Sequence, residues 1–376
     1  MQNISKYIQN TPMVTIVANT AWSIVNFRTK LVNSLSQDGY RVVAIAPEDE
    51  YTNSIQCEYI PIKLNRMGLN PFDDMRLFFK LKKAYQQLKP FAVLHFTSKV
   101  NIYGALAARK LNICCINNIS GLGSAFIGGG LIARIQQLLY RFALRYADVV
   151  FFQNADDADY FFRRKIARPE QSTILPGSGV DVDRFSPQPQ EKSVSFIFLM
   201  ISRLIKDKGI YEYVEAAEKI KGKYPDTEFR IVGFLDNSNP SAIKEEELDS
   251  WIEKGIVVFL GRMDDVREAI AASECVVLPS YREGTPRTLL EAASMAKPII
   301  TTDVAGCRQV VDNGKNGFLC RVQNSEDLAH KMEKLMLLSE PARKNMGLKG
   351  REKMKSEFDE SIVIKKYLEV LKRYRP

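Results

Sequence analysis

Two periods alternate along this chain. Short runs of apolar residues, of strand length, are followed by longer stretches with apolar residues at helical spacing. Pro12-Met-Val-Thr-Ile-Val-Ala18 predicts a first strand and Ile24 to Leu35 a helix. Arg41 to Ala46 predicts the next strand, Pro71 to Leu88 a helix, and Phe91 to Phe96, Ile113 to Asn118 and Val149 to Gln153 later strands. A second series begins at Ser195 to Ile201, with a helix from Tyr211, and continues through Phe229 to Gly233, Val257 to Gly261, Cys275 to Pro279 and Ile299 to Thr302. Strands without alternation are buried on both faces, as in a parallel sheet covered by helices. The fold class is therefore α/β, with two doubly wound, Rossmann-like domains. Pro176 to Pro187 is rich in glycine and proline and leads into polar Gln188 to Ser193, which reads as the hinge. The expected domains are 1–187 and 188–357, with an amphipathic, basic helix over 358–376.

Composition narrows the class. The chain has 376 residues, 45% hydrophobic and 26% charged, in the range of a globular enzyme. Met1 to Asn10 is polar, without an apolar signal core, and no run of about 18 apolar residues exists to span a bilayer. Cys57, Cys114, Cys115, Cys275, Cys307 and Cys320 show no paired metal spacing and read as reduced core thiols of the cytoplasm. The net charge of +9 is uneven. Residues 1–187 hold 22 Lys/Arg against 14 Asp/Glu, and residues 188–376 hold 31 against 30. A basic first half favours an anionic partner. No nucleic-acid motif accompanies it. Met75 to Tyr85 and Leu131 to Arg145 are basic and amphipathic, which suits an anionic membrane surface as well as a sheet-covering helix.

The chemistry concentrates in Ser280-Tyr-Arg-Glu-Gly-Thr-Pro-Arg-Thr-Leu-Leu-Glu291. It follows a buried strand and opens a helix, with Thr285 expected as N-cap and Pro286 at the first helical position. A helix N-terminus at the carboxyl end of a parallel strand receives phosphate well. Two glutamates beside an anion make sense if they hold hydroxyls of the same ligand, which a sugar nucleotide supplies. After the strand at Ser195 to Ile201, Arg203 and Lys208 are placed to offset the charge of a leaving diphosphate. Gly261, Arg262 and Met263 end another strand. In the first half, Asn19, Ser23 and Arg28 follow the first strand in a loop that lacks a Gly-x-Gly-x-x-Gly, which counts against a dinucleotide oxidoreductase. His95, Lys99 and the glycines Gly121, Gly123 and Gly128 to Gly130 mark further loops. Asp181-Val-Asp183 has a metal-binding spacing but follows a strand in the linker and reads as part of the hinge.

Glu283-Gly-Thr-Pro with Glu291 eight positions on, followed by Gly306 and Asn313-Gly-Lys-Asn-Gly-Phe-Leu, resembles the signature of family-4 retaining glycosyltransferases of the GT-B fold. The run Phe96-Thr-Ser-Lys99-Val-Asn101-Ile-Tyr-Gly104 with Ser120-Gly-Leu-Gly123 resembles a subgroup that extends undecaprenyl-diphosphate-linked saccharides in surface polysaccharide and glycan synthesis. N-acetylgalactosaminyltransferases acting on the diacetylbacillosamine-linked lipid are among them. The resemblance implies two domains facing a cleft, a terminal helix crossing back to the first domain, a UDP-sugar donor, retention, and no metal or other cofactor. It implies Glu283, Arg203 and Lys208 as catalytic residues. Gly284, Thr285, Pro286, Leu290, Glu291, Gly261, Arg262 and Met263 then bind the donor. Asn19, Arg28, His95, Lys99, Gly121 and Gly123 fall on the acceptor side, although relatives place their histidine nearer Ser98. The competing class is a GT-B nucleotide-sugar hydrolase or 2-epimerase-like enzyme, and a non-catalytic sugar-nucleotide binder is a further rival.

Overall fold

The computed structural model describes residues 11–65, 70–122, 130–189, 195–236 and 239–375. The chain forms two compact units, Met1–Ser178 with Val363–Pro376, and Gly179–Ile362.

The first unit holds a seven-stranded sheet in the order β3-β2-β1-β4-β5-β6-β7. Its strands are β1 (Met13–Val17), β2 (Arg41–Ala46), β3 (Glu58–Pro61), β4 (Ala92–Phe96), β5 (Cys114–Ile119), β6 (Val149–Phe152) and β7 (Ser172–Ile174). Every neighbouring pair is parallel, and Val14 of β1 sits in register with both Val42 and Ala92. The strand order reverses between β1 and β4. Helices cover both faces. On one face Leu77, Leu81 and Tyr85 of Pro71–Leu88, Val100 and Ala105 of Ser98–Arg109, and Tyr140 and Leu144 of Gly130–Leu144 form one core. On the other, Ile24, Leu31 and Leu35 of Ala21–Gln37 pack with Val363, Tyr367 and Leu371 of the terminal helix Glu360–Tyr374. β3 and β7 were not anticipated from the pattern. They are three or four residues long and half exposed at the sheet edges, so no apolar run marks them.

The second unit repeats the scheme with six strands in the order β10-β9-β8-β11-β12-β13. They are β8 (Ile197–Arg203), β9 (Glu228–Phe234), β10 (Val258–Phe259), β11 (Cys275–Leu278), β12 (Ile299–Thr302) and β13 (Gly317–Cys320). All pairs are parallel, and the order reverses between β8 and β11. The division between units falls at Ser178 and Gly179, ahead of the expected boundary after Pro187. The reason is packing: Val180, Val182 and Phe185 are buried in the second unit's core. Asp181 spans the turn that follows, its carboxylate accepting from the Asp183 and Arg184 amides at 3.1 and 3.0 Å, so this Asp-x-Asp pair builds a turn. At Gly179, φ is +72° and a Cβ would strike Glu360, so glycine alone fits there.

Candidate active site

In an open parallel sheet, ligands meet the loops beyond the carboxyl ends of the strands, where the order reverses. In the second unit that place is the β8/β11 edge. Arg203 ends β8, and Lys208 lies in the 3₁₀ turn Lys206–Lys208 just beyond it. This loop is clamped on both flanks. The Leu204 amide donates to the Phe234 carbonyl at 3.0 Å and the Lys206 amide to Ser241 at 2.7 Å, on the β9 side. Toward β11, the Asp207 carbonyl accepts from the Tyr281 amide at 2.9 Å and from Ser280 Oγ at 3.1 Å. Gly209 (φ +74°) lies so close to Pro279 that a Cβ would collide with its carbonyl. The two loops are thereby fixed against each other, and they bring Lys208 Nζ into a short ion pair with Glu283. The side chains are 21% and 11% exposed, so the pair is partly shielded yet open to solvent.

Arg203, at the end of β8, is 45% exposed. Its Nη1 donates to Asp236 at 3.1 Å. Asp236, in the loop after β9, was not singled out from the sequence. The rule that found Arg203, a polar residue just past a strand end, also covers it. Gly284 backs onto Gly306, where an added Cβ would collide with the Gly284 carbonyl. This explains the glycine at position 306, which the structure places in the first turn of the helix Ala305–Val310 after β12, not in a loop.

The helix that opens here is Arg287–Ser294, and its N-cap is Pro286, with no side-chain cap. This corrects the expected assignment of Thr285 as N-cap and Pro286 as first helical residue. Pro286 has φ −73° and ψ 115°, an extended conformation, so the helix begins one residue later. The Pro286 carbonyl accepts from Leu289 and Leu290 at 3.1 and 3.3 Å. Glu291 lies in the second turn and is 9% exposed. Its carboxylate accepts from Arg287 Nε at 2.9 Å. Burial pushes the Glu291 carboxyl above its ordinary range, opposed by Arg287 and Arg184. Arg287 is thus a second residue that the sequence reading missed, although its i, i+4 spacing to Glu291 was visible. Leu290 is fully buried behind the site. Gly261 has φ +72° and its carbonyl accepts from the Gly233 amide at 2.9 Å, so the loop after β10 is tied to the end of β9. Arg262 Nη2 lies 3.8 Å from Asp264, and Met263 is 37% exposed. Cys307, near Glu283 and Lys208, is a buried thiol held up at about 12 by that burial, which keeps it neutral and non-nucleophilic.

The first unit treats its polar residues differently. Arg28 is 9% exposed; its Nη1 donates to the Ser23 carbonyl at 2.7 Å, and its guanidinium lies 3.8 Å from the Phe96 ring centroid. His95 is fully buried between Tyr85 and Asn117. Asn117 Nδ2 donates to the Asn101 carbonyl at 2.9 Å, so its Oδ1 accepts from His95 Nδ1–H at 2.8 Å. Tyr85 O–H then donates to the other ring nitrogen at 2.9 Å. Burial lowers the His95 pKa to about 4, keeping the ring neutral. An added Cβ at Gly104 would stand 2.5 Å from His95 Nε2. Arg28 and His95, expected on the acceptor side, are thus both engaged by partners inside the first unit. Lys99 Nζ pairs with Asp74 at 2.7 Å, and Tyr103 O–H donates to the same carboxylate at 2.9 Å. Asn19 is half-buried after β1, and Gly121 (φ +128°) follows β5. Gly123, Gly128 and Gly129 lie outside the described residues.

The chain is similar to known proteins over most of its length. Residues 181–353 match the model of "Glycosyl transferases group 1", and residues 14–154 that of "Glycosyl transferase 4-like". The chain is 30% identical, over 93% of its length and 96% of the relative, to the N,N'-diacetylbacillosaminyl-diphospho-undecaprenol alpha-1,3-N-acetylgalactosaminyltransferase of Campylobacter jejuni. It is 26% identical, over 73% of each chain, to the UDP-Gal:alpha-D-GlcNAc-diphosphoundecaprenol alpha-1,3-galactosyltransferase of Escherichia coli. Among solved structures, HepE of Anabaena in complex with UDP and glucose superimposes with a TM-score of 0.77 at 17% identity, over 96% of this chain and 99% of that one. That likeness speaks for the fold.

Proposed function

We propose an activity from one premise: the chain belongs to the GT-B glycosyltransferases. In this reading it moves a sugar from a UDP-sugar to a saccharide linked to undecaprenyl diphosphate, in surface polysaccharide or glycoprotein glycan synthesis, with retention at the anomeric carbon. N-acetylgalactosamine is the first donor sugar to test, followed by other hexoses and N-acetylhexosamines. The observation that carries the reading is the Lys208–Glu283 pair at the β8/β11 edge, with Arg203 ending β8 and the Arg287–Ser294 helix beginning just after Glu283 in the chain. It supplies cations and a helix N-terminus for a diphosphate, and a carboxylate for sugar hydroxyls.

The roles follow from charge. On donor binding, Lys208 and Arg203 turn to the diphosphate, and Gly284, Thr285 and Pro286 bring backbone to it. Glu283 accepts hydrogen bonds from hydroxyls of the transferred sugar, and Glu291 from the ribose diol. Gly261, Arg262 and Met263 border the base, with Leu290 as packing behind. The bond from the anomeric carbon to the UDP oxygen breaks, and the bond to the acceptor oxygen forms on the same face. The acceptor hydroxyl gives its proton to the leaving diphosphate. Negative charge grows on that diphosphate in the transition state, where Arg203 and Lys208 act most strongly. The chemistry needs no metal, so a chelator should leave turnover unchanged. On the acceptor side Asn19, Lys99 and Gly121 remain within reach of the first sheet's edge. An anionic membrane surface is a further partner, since the acceptor is a lipid, and the protein works at the cytoplasmic face.

The test is UDP release from a panel of UDP-sugars, with and without the polyprenyl-diphosphate-linked acceptor in detergent. Release that needs one donor and the acceptor together is expected. Release without any acceptor would replace this reading with hydrolysis or epimerisation.

A further inference from the structure

Arg287 stands where helix electrostatics argue against it. It is the first residue of the helix Arg287–Ser294, and a helix N-terminus favours anions over cations. Its partner Glu291 lies four positions later, and an i, i+4 ion pair supports a helix better with the acidic residue first. Both side chains are also largely withdrawn from solvent, at 14% and 11% exposure, so each gives up hydration to make the pair. A pair kept for the helix alone gains from the opposite order on an exposed face. This one is placed for something else.

Three charged groups bear on the Glu291 carboxylate. Arg287 is on its own helix, Arg184 comes from the turn before β8, and Asp265 from the loop after β10. Burial pushes the carboxyl up, and the two arginines oppose it, Arg287 more strongly. Arg287 Nε donates to Oε1 at 2.9 Å. Arg184 is exposed and lies 5.5 Å from the Phe185 ring centroid, where water screens its charge. Asp265 raises the carboxyl, but its own charge is engaged by Arg267, whose Nε lies 2.9 Å from both carboxylate oxygens. Arg287 is therefore the strongest of the influences that keep Glu291 ionised.

We propose that Arg287 is a positioning residue for the nucleotide: it holds Oε1 of Glu291, and with it the carboxylate's charge, so that Oε2 accepts from the ribose hydroxyls of a uridine nucleotide. The inference rests on the reading of Glu291 as the ribose contact. An ionised carboxylate offers only acceptors to a diol, whereas a protonated one turns an oxygen into a donor. A buried carboxyl without a fixed cation moves toward the protonated form. The planar guanidinium fixes the orientation of the carboxylate as well as its charge. Arg287 thus acts through Glu291 and needs no contact of its own with the ligand.

The experiment is calorimetric titration of uridine into the full chain and its variants from about pH 5.5 to about pH 8, the range in which a raised carboxyl titrates. The unmodified chain should lose uridine affinity as Glu291 takes up a proton at low pH. Arg287→Met should move that loss to higher pH, weakening uridine at least ~10-fold at about pH 6 and by less at about pH 8. Arg287→Lys, which keeps the charge, should restore most of the profile. Glu291→Gln should flatten it, and adding Arg287→Met to Glu291→Gln should weaken uridine no further. The unmodified chain and Arg287→Met should bind 2′,3′-dideoxyuridine alike, since it lacks the hydroxyls. Thermal melting checks that each variant folds, and Arg287→Gln repeats the test should Arg287→Met not fold. A loss in Arg287→Met that does not vary with pH, or losses that add in the double variant, would overturn the inference. So would unchanged uridine binding by Arg287→Met, including the case in which only UDP is weakened, which would move Arg287 to the diphosphate. Failure of the ribose reading itself shows separately, as a Glu291→Gln chain that binds uridine as tightly as the unmodified chain does.

Discussion

At the β8/β11 edge, Lys208 and Glu283 keep 21% and 11% exposure and lean on each other. At the β1/β4 edge, Arg28 and His95 keep 9% and none, and lean on the core. The two sheets share a strand order, and each places a cation beyond its switch point. They differ in what the polar groups are for. On the proposed reading the pair in the second unit exchanges its partner for a ligand, since both side chains keep access to solvent. In the first unit, removing a partner leaves a buried polar group unsatisfied, which costs about 1–3 kcal/mol. On the proposed reading, polar side chains near a switch point serve a ligand at one edge and the fold at the other.

The largest effects should come from the second unit. Lys208→Ala or Glu283→Ala should lower turnover on the order of 10²–10³-fold, comparable to losing a preorganised transition-state donor. The steady-state rate with saturating donor checks this, and near-normal turnover in either variant would remove the contrast. Arg203→Ala should cost about 10-fold or more in kcat/KM, since a charge-assisted hydrogen bond is worth about 1.5–3 kcal/mol. Asp236→Asn should cost less, and mainly in the donor KM, because it acts through Arg203.

In the first unit the effects should appear as stability. His95 is neutral when folded, with its pKa lowered to about 4 from an unfolded value near 6.5. The unfolded chain therefore binds the extra proton first as pH falls. The contribution is fully present above about pH 6.5 and fades toward pH 4, by roughly 3 kcal/mol at most. Urea midpoints across that range measure it. His95→Phe should flatten that part of the profile; an unchanged slope would show that another group carries it. Gly104→Ala should destabilise strongly, since its Cβ meets the imidazole. The smallest effect is at Lys99→Ala, which leaves Asp74 with Tyr103 and should shift the acceptor KM only a few-fold.

The parallel strands and the helices between them were legible because each buried strand is an apolar run and each helix has one apolar face. Lys208, Glu283 and Glu291 were legible for a related reason: a loop beyond a strand end is local in sequence. What escaped was settled by distant partners. Asp236 meets Arg203 across 33 positions, Asp74 meets Lys99 across 25, and His95 meets Asn117 across 22. No local period encodes such pairs. The internal partners of Arg28 and His95 were likewise not readable from the local pattern. The N-cap at Pro286 escaped for a smaller reason, since proline suits both the cap and the first helical position.

The most direct measurement is calorimetric titration of UDP and of uridine into the unmodified chain and into Lys208→Ala. The account places Lys208 on the diphosphate, so the substitution should weaken UDP at least ~10-fold and leave uridine unchanged. Equal UDP affinity in the two proteins would contradict it, and would return Lys208 and Glu283 to the status of a structural ion pair.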